Sequence, residues 1–552
     1  MRRCTPGSVI RPMSGVRAVR YHRASPEVSP VELIGPPLPA LPFSTLAQAL
    51  RALEDRPGPW LTVVQGKADR VFTGAELLAL ARAWRAAARA AGLTRGGRAV
   101  VLMPNDERFV AAFAGTLLAG ATAVPLAFPA TLSNPAEAIA RLAPLVAAAD
   151  PAVVLTTPEL AQGWPVPAVT APAPAPDQDE VLPEPDDLAF LQFTSGSMGR
   201  PKGAAISHRA AMACTVSMGT AMGLGPADVG LSWLPLYHDM GLVGAMLCPV
   251  VFGFPLHLMR PGEFLLHPGR WLERAAAVRA TVAAAPDFGW RLAARRLRGS
   301  PGDLSAWRIG LDGAEPVHRS TLDDVQAALG PHGLPATALR PSYGLAENTL
   351  GVCILDTSRP GPDLEMEGRR VPSCGGPLPG VTVRIDAPEG EAGEILVRSA
   401  SLMQGYFRDV EATAAALREG WLHTGDLGVL SGGQLHVTGR IKDLVIQNGV
   451  KFHPYDIERV AADAAEATPN GAAAFARDSE EGERLVVVVE VPARRQEGVE
   501  KRVRGALVEA LGVRVDEVRT VAPGALPRTT SGKVRRPAAA ALFGGVQAPH
   551  EP

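Results

Sequence analysis

The chain has 552 residues, 47% of them hydrophobic and 20% charged, with a formal net charge of −1. That length exceeds one ordinary core and predicts two to four domains of roughly 150 residues each, while the balanced charge leaves no basic footprint for nucleic acid. Five widely spaced cysteines with no C-x-x-C pair argue against a disulfide framework or a zinc site, and no apolar stretch has the length of a membrane span, so small-molecule chemistry is the default expectation.

Residues 1–30 carry Arg2, Arg3, Arg11, Arg17, Arg20 and Arg23 without an apolar core segment, which is not the pattern of a secretory signal. A disordered arm, or an upstream start with Met13 as the true first residue, is expected, and the protein is expected in the cytoplasm. Over 72–93 the spacing of Leu77, Leu78, Ala81 and Trp84 predicts one buried helical face. Strands at 98–103, 121–126 and 152–156 alternate with helices at 106–119 and 135–148. That alternation predicts an α/β fold with mostly parallel sheets covered by helices on both faces.

Residues 158–185 are rich in Pro and Ala and read as an exposed connection within the body. Alternation resumes with strands at 188–191, 229–234, 280–284 and 307–311, giving one large multi-subdomain N-terminal body over 31–439. Strand-like runs at 484–491 and 513–521 around a helix at 497–511 predict a small C-terminal α+β domain over 440–552.

The apolar strand at 188–191 runs into Thr194-Ser195-Gly196-Ser197-Met198-Gly199-Arg200-Pro201-Lys202-Gly203. Glycines let backbone N–H groups approach an oxyanion, the hydroxyls can donate to it, and Lys202 brings positive charge. Alone, such a loop is either a phosphate cradle or a solvated turn. It is not a Walker A loop, because Gly203 stands where that motif needs Ser or Thr.

Four further stretches supply what a phosphate loop would need. Ser342-Tyr343-Gly344-Leu345-Ala346-Glu347 offers an aromatic plane for a base and a carboxylate for Mg²⁺. In Gly420-Trp421-Leu422-His423-Thr424-Gly425-Asp426 a carboxylate stands in a turn, able to accept from both ribose hydroxyls. Gly439-Arg440-Ile441-Lys442-Asp443 and Pro527-Arg528-Thr529-Thr530-Ser531-Gly532-Lys533 follow. Singly, each is equally a core aromatic, a helix cap or a surface charge.

Taken together and in this order, from about residue 35 to 540, these motifs resemble the adenylate-forming superfamily of acyl-CoA synthetases, luciferases, peptide-synthetase adenylation domains and fatty acyl-AMP ligases. Trp233-Leu234-Pro235-Leu236-Tyr237-His238-Asp239-Met240-Gly241-Leu242 and Asp312-Gly313-Ala314-Glu315-Pro316-Val317 are most similar to the fatty acyl-AMP ligases. The resemblance implies ATP and Mg²⁺ as cofactors. Thr194, Ser195, Gly196, Ser197, Gly199 and Lys202 would bind the β- and γ-phosphates, and Glu347 would ligate Mg²⁺. Gly313, Ala314, Glu315 and Tyr343 would line the adenine site, with Ser342 and Gly344 beside them, while Asp426 and Arg440 would hold the ribose. His238, Asp239, Met240 and Gly241 would border the acyl pocket, His238 at its carboxylate end. Lys442 would be the hinge of a mobile C-terminal domain, and Lys533 would contact carboxylate and α-phosphate.

The implied activity is conversion of a fatty or related carboxylic acid to an acyl-adenylate, then transfer to the phosphopantetheine thiol of a separate acyl carrier protein in polyketide, peptide or lipid synthesis. Residues 352–372 are shorter than the subfamily's usual insertion, and Asn448 to Tyr455 departs from its usual pattern, so CoA stays open as the acceptor. Lys202, Glu347, Asp426 and Lys533 occurring together weigh against a non-catalytic relative.

Overall fold

A computed structural model describes residues 31–544 apart from 67, 130–131, 174–179, 195–200, 359–361, 367–368, 442–444, 448–449, 480–481 and 529–532. Its first sheet has the strand order Ala168–Val169, Val153–Leu155, Arg98–Val101, Thr122–Pro125, Leu188–Thr194, Lys202–Ser207. All neighbours are parallel except the last two, which form an antiparallel hairpin. The central strands are buried on both faces, because helices cover each side. Helix Gly74–Ala90 starts at a reciprocal cap: Thr73 Oγ1 accepts from the Glu76 N–H at 3.2 Å, and the Glu76 carboxylate accepts from the Thr73 N–H at 2.8 Å. It packs on helix Glu107–Leu118 at Gly115, where a Cβ would lie 2.4 Å from the Ala81 carbonyl oxygen.

The second sheet runs Gly351–Ile354, Leu339–Gly344, Ile309–Asp312, Val282–Ala285, Gly230–Ser232, Leu256–Leu258, Pro59–Val63, Arg70–Thr73. Its interior pairs are parallel and both edge pairs antiparallel. Beneath it lies an aromatic cluster. The Trp233 ring stacks on Phe264 with centroids 3.8 Å apart, and Trp271 contacts Phe264, Trp290 and Trp307 at 5.6, 4.9 and 5.2 Å.

A third, antiparallel sheet carries Val31–Ile34, Val381–Ile385, Gly393–Ser399, Trp421–Ser431, Leu417–Arg418 and Gln434–Arg440. Past it, strands Ala472–Ser479, Gly482–Glu490 and Glu517–Val521 pack with helices Pro454–Ala464 and Val499–Leu511 around Ile457, Val487, Val489, Val503 and Leu507. This smaller unit docks on helix Asp287–Arg296: Arg291 pairs with Asp463, and Arg295 reaches the same carboxylate at 3.1 Å. Arg459 donates to Ser320 Oγ at 3.2 Å.

Two expectations need correction. Residues 158–185 are not simply an exposed connection: Leu160 is fully buried, and Ala168–Val169 forms the edge strand of the first sheet. An apolar side chain and two extended residues suffice for that, and neither produces periodicity. The run at 513–521 is a strand only from Glu517, because Val513 and Val515 are spent packing against the helix core. Among the described residues no helix is long and apolar enough to cross a membrane.

Trp271 is the hub of the aromatic cluster and is fully buried. Trp271→Ala is expected to destabilise the protein by about 3–5 kcal/mol, read as a lower urea midpoint with unchanged slope.

Candidate active site

The carboxyl ends of parallel strands converge on one crevice, the usual place for a ligand in such sheets. Strand Leu188–Thr194 delivers the Gly-rich turn, and Thr194 pairs across the hairpin with Lys202. Ser195, Gly196, Ser197, Gly199 and Lys442 lie outside the described residues, as does the side chain of Thr194. Strand Ile309–Asp312 delivers Gly313, Ala314 and Glu315, and strand Leu339–Gly344 delivers Ser342, Tyr343 and Gly344.

Close backbone packing fixes two of these positions as glycine. A Cβ on Gly313 would lie 2.5 Å from Ser342 Oγ, and one on Gly344 would lie 2.1 Å from the Leu350 carbonyl oxygen. Ala314 has φ +66°, in the left-handed region that disfavours an L-residue by roughly 1–2 kcal/mol. Its carbonyl accepts a hydrogen bond from Lys533 Nζ, more than two hundred residues away in the smaller unit.

Lys533, His238, Met240, Trp233, Pro286 and Ala314 line one largely apolar cleft. Burial pulls the Lys533 pKa down, opposed by the negative charges of Glu315 and Asp239. Of the four residues expected at the acyl pocket, His238 and Met240 face the cleft. Asp239 instead pairs with His238, Oδ1 to Nδ1 at 2.6 Å, and accepts from the Met240 N–H at 2.6 Å. Gly241 is held against the Pro235 carbonyl oxygen, which a Cβ would meet at 2.1 Å. These two shape the wall from behind.

Tyr343, Asp426 and Arg440 form a chain. The Tyr343 hydroxyl donates to Asp426 Oδ2 at 2.8 Å, and Arg440 Nε donates to Oδ1 at 2.6 Å across a strand pair. Both oxygens of Asp426 therefore already have a protein partner, leaving further lone pairs rather than a bare carboxylate for any ligand. Glu347 sits in the turn after strand Leu339–Gly344, where burial raises its pKa. Its Oε1 accepts from the Tyr406 hydroxyl at 2.7 Å, and the Lys202 ammonium lies over the Tyr406 ring, 5.0 Å from the centroid.

Tyr406 is the residue that the sequence did not bring forward. Its available signal was slight: Gly405, with φ +146°, precedes it, and a Cβ there would meet Thr413 Cγ2 at 2.7 Å.

Behind the cleft lie two buried acids, Asp287 and Asp312, and the half-buried Glu315. Asp287 accepts from the His318 N–H at 2.9 Å and Thr321 Oγ1 at 2.8 Å, and Glu315 accepts from the Phe288 N–H at 2.7 Å. Asp312 is fully buried, and neither of its carboxylate oxygens has a hydrogen-bond partner in the structure. Burial, reinforced by the charges of its two neighbours, pushes the Asp312 pKa well above the usual carboxylate range.

A model of AMP-binding enzymes matches residues 51–407. The chain is 33% identical over 571 residues to the long-chain-fatty-acid–AMP ligase FadD32 of Mycolicibacterium smegmatis, covering 86% of this chain and 89% of that protein. It is 33% identical over 514 residues to a 4-hydroxyphenylalkanoate adenylyltransferase of Mycobacterium tuberculosis, covering 80% and 81% respectively. A chain from studies of fatty acyl-adenylate ligases of E. coli and L. pneumophila superposes with TM-score 0.83 at 30% identity, covering 92% of this chain and 99% of that one. The L. pneumophila ligase in complex with acyl adenylate and pyrophosphate superposes with TM-score 0.69 at 27% identity, covering 91% and 97%.

An acid whose pKa is raised on folding binds its proton more tightly in the native state, so its contribution is greatest at low pH and is lost as pH rises through the folded value. Asp312→Asn removes that loss. The variant is expected to melt higher than the wild type at pH 8, with the difference shrinking toward pH 5, in parallel thermal scans.

Proposed function

The chain belongs to the AMP-binding enzyme family, and from that premise we propose that it is a fatty acyl-AMP ligase that activates a fatty acid with ATP and hands the acyl group to a carrier protein. The meeting of Lys533 and His238 in one apolar cleft carries this reading. A carboxylate oxygen of the acid attacks the α-phosphorus of ATP, the bond to the bridging oxygen of pyrophosphate breaks, and pyrophosphate leaves. No proton moves. The obstacle is electrostatic, since two anions must approach, and a cation in a water-poor cleft opposes that repulsion far more effectively than one in bulk water.

Lys533 is assigned that work, leaving its resting partner, the Ala314 carbonyl, when substrate arrives. His238 orients the carboxylate, and the apolar wall of Trp233, Pro286 and Met240 takes the first carbons of the chain. Residues 194–202 bind the β- and γ-phosphates. The segment from Gly313 to Glu315, with Ser342, Tyr343 and Gly344, surrounds the adenine, and Asp426 with Arg440 holds the ribose. Glu347 would hold a Mg²⁺ ion through its one carboxylate, with substrate phosphates and water completing the shell. When bound, the ion would neutralise phosphate charge.

For the second step the thiolate of a carrier's phosphopantetheine arm attacks the acyl carbon, the thioester forms and AMP leaves. We assign the carrier to a separate molecule, the site of action to the cytoplasm, and the turning point of residues 440–552 to the neighbourhood of Lys442. Rotation there withdraws Lys533 and opens its position to the incoming thiol.

Fatty-acid-dependent pyrophosphate exchange is expected for the wild type and should fall about 100-fold or more in Lys533→Ala. Mass spectrometry of products from a panel of acids is expected to give acyl-adenylate, and acyl-carrier thioester when holo carrier is supplied. Faster thioester formation on CoA than on carrier would move the acceptor assignment to CoA.

A further inference from the structure

Tyr406 touches both partners that manage the phosphates, and neither the family match nor the sequence motifs assign it a part. Its main chain is pinned in place. The Ala205 N–H donates to the Gly405 carbonyl at 2.9 Å, the Phe407 N–H donates to the Gly203 carbonyl at 2.8 Å, and Gln404 donates back to Ala205 at 2.8 Å. Residues 404–407 therefore run as an added strand beside Lys202–Ser207, the strand that begins with the loop lysine. At the other end the Met403 N–H donates to the Glu347 carbonyl at 2.9 Å. The Tyr406 N–H donates to Thr413 Oγ1 at 2.9 Å, which fixes the residue from the side away from the cleft.

The side chain then faces two charged groups with two different chemistries. Its hydroxyl donates to Glu347 Oε1, one of the two oxygens of that carboxylate, at 2.7 Å. Its ring face receives the Lys202 ammonium at 5.0 Å. A residue serving only to fill space would need the ring alone. The hydroxyl meets a carboxylate, and the ring meets the cation that would otherwise be drawn to that same carboxylate.

We propose that Tyr406 is a positioning residue that keeps Lys202 and Glu347 apart, so that the ammonium serves the phosphates and the carboxylate serves the divalent cation. The assignment rests on the ATP-dependent reading above. Without the tyrosine the two opposite charges would collapse into an ion pair, and each would be spent on the other.

The test compares Tyr406→Phe and Tyr406→Leu with the wild type in binding alone, by titration calorimetry of ATP over a series of Mg²⁺ concentrations and of AMP in EDTA. Tyr406→Phe keeps the ring and loses the hydroxyl. It is expected to need about tenfold more Mg²⁺ for half-maximal ATP affinity, as second-layer partners of metal ligands typically do, with AMP affinity within twofold of the wild type. Tyr406→Leu loses the ring as well and is expected to weaken metal-free ATP binding several-fold further. An unchanged Mg²⁺ requirement in Tyr406→Phe, or AMP affinity falling in step with ATP affinity, overturns the assignment. Wild-type protein that binds no ATP overturns the functional reading, and this assignment with it.

Discussion

The structure depends on one lysine held in a place where a lysine is unfavourable. Lys533 sits half-buried in an apolar cleft, where desolvation penalises its charge and the Ala314 carbonyl, with the carboxylates of Glu315, Asp239 and Asp426, opposes the penalty. That burial exists only while the smaller unit is docked, because the lysine belongs to one unit and the cleft to the other. The docking contacts are polar, Arg291 and Arg295 on Asp463 and Arg459 on Ser320, rather than a shared apolar core. Polar contacts of this kind hold a geometry without fusing the two units into one body.

The parallel sheets were legible because burial on both faces leaves uninterrupted runs such as those at 98–103 and 121–126, and the site motifs were legible because glycines and hydroxyls at strand ends have few other uses. Gly313 illustrates the point, since its missing side chain is what admits Ser342. What stayed hidden depended on long-range pairing. Nothing local marks Tyr406 as the neighbour of both Lys202 and Glu347, which precede it by about two hundred residues and by 59. The partner of Arg291 is equally invisible, because a helix of a C-terminal unit supplies it. Asp239 and Gly241 read as pocket residues because they adjoin His238, but the turn into the following helix sends them behind the wall.

Three acids give the cleft a second electrostatic layer. Asp287 and Glu315 are tied to backbone N–H groups, whereas neither carboxylate oxygen of the buried Asp312 has a hydrogen-bond partner. Burial raises the pKa of all three. In the short segment 352–372 the Asp363 carboxylate accepts from Arg319 at 2.6 and 2.7 Å.

Helix Asp287–Arg296 is the feature with the widest reach. Its first turn holds Glu315 through the Phe288 N–H, and one turn later Arg291 grips Asp463 of the smaller unit. One helix thus holds both a carboxylate that follows strand Ile309–Asp312 and a carboxylate of the smaller unit. The separation of those two carboxylates is therefore set by a single turn of helix, from Phe288 to Arg291.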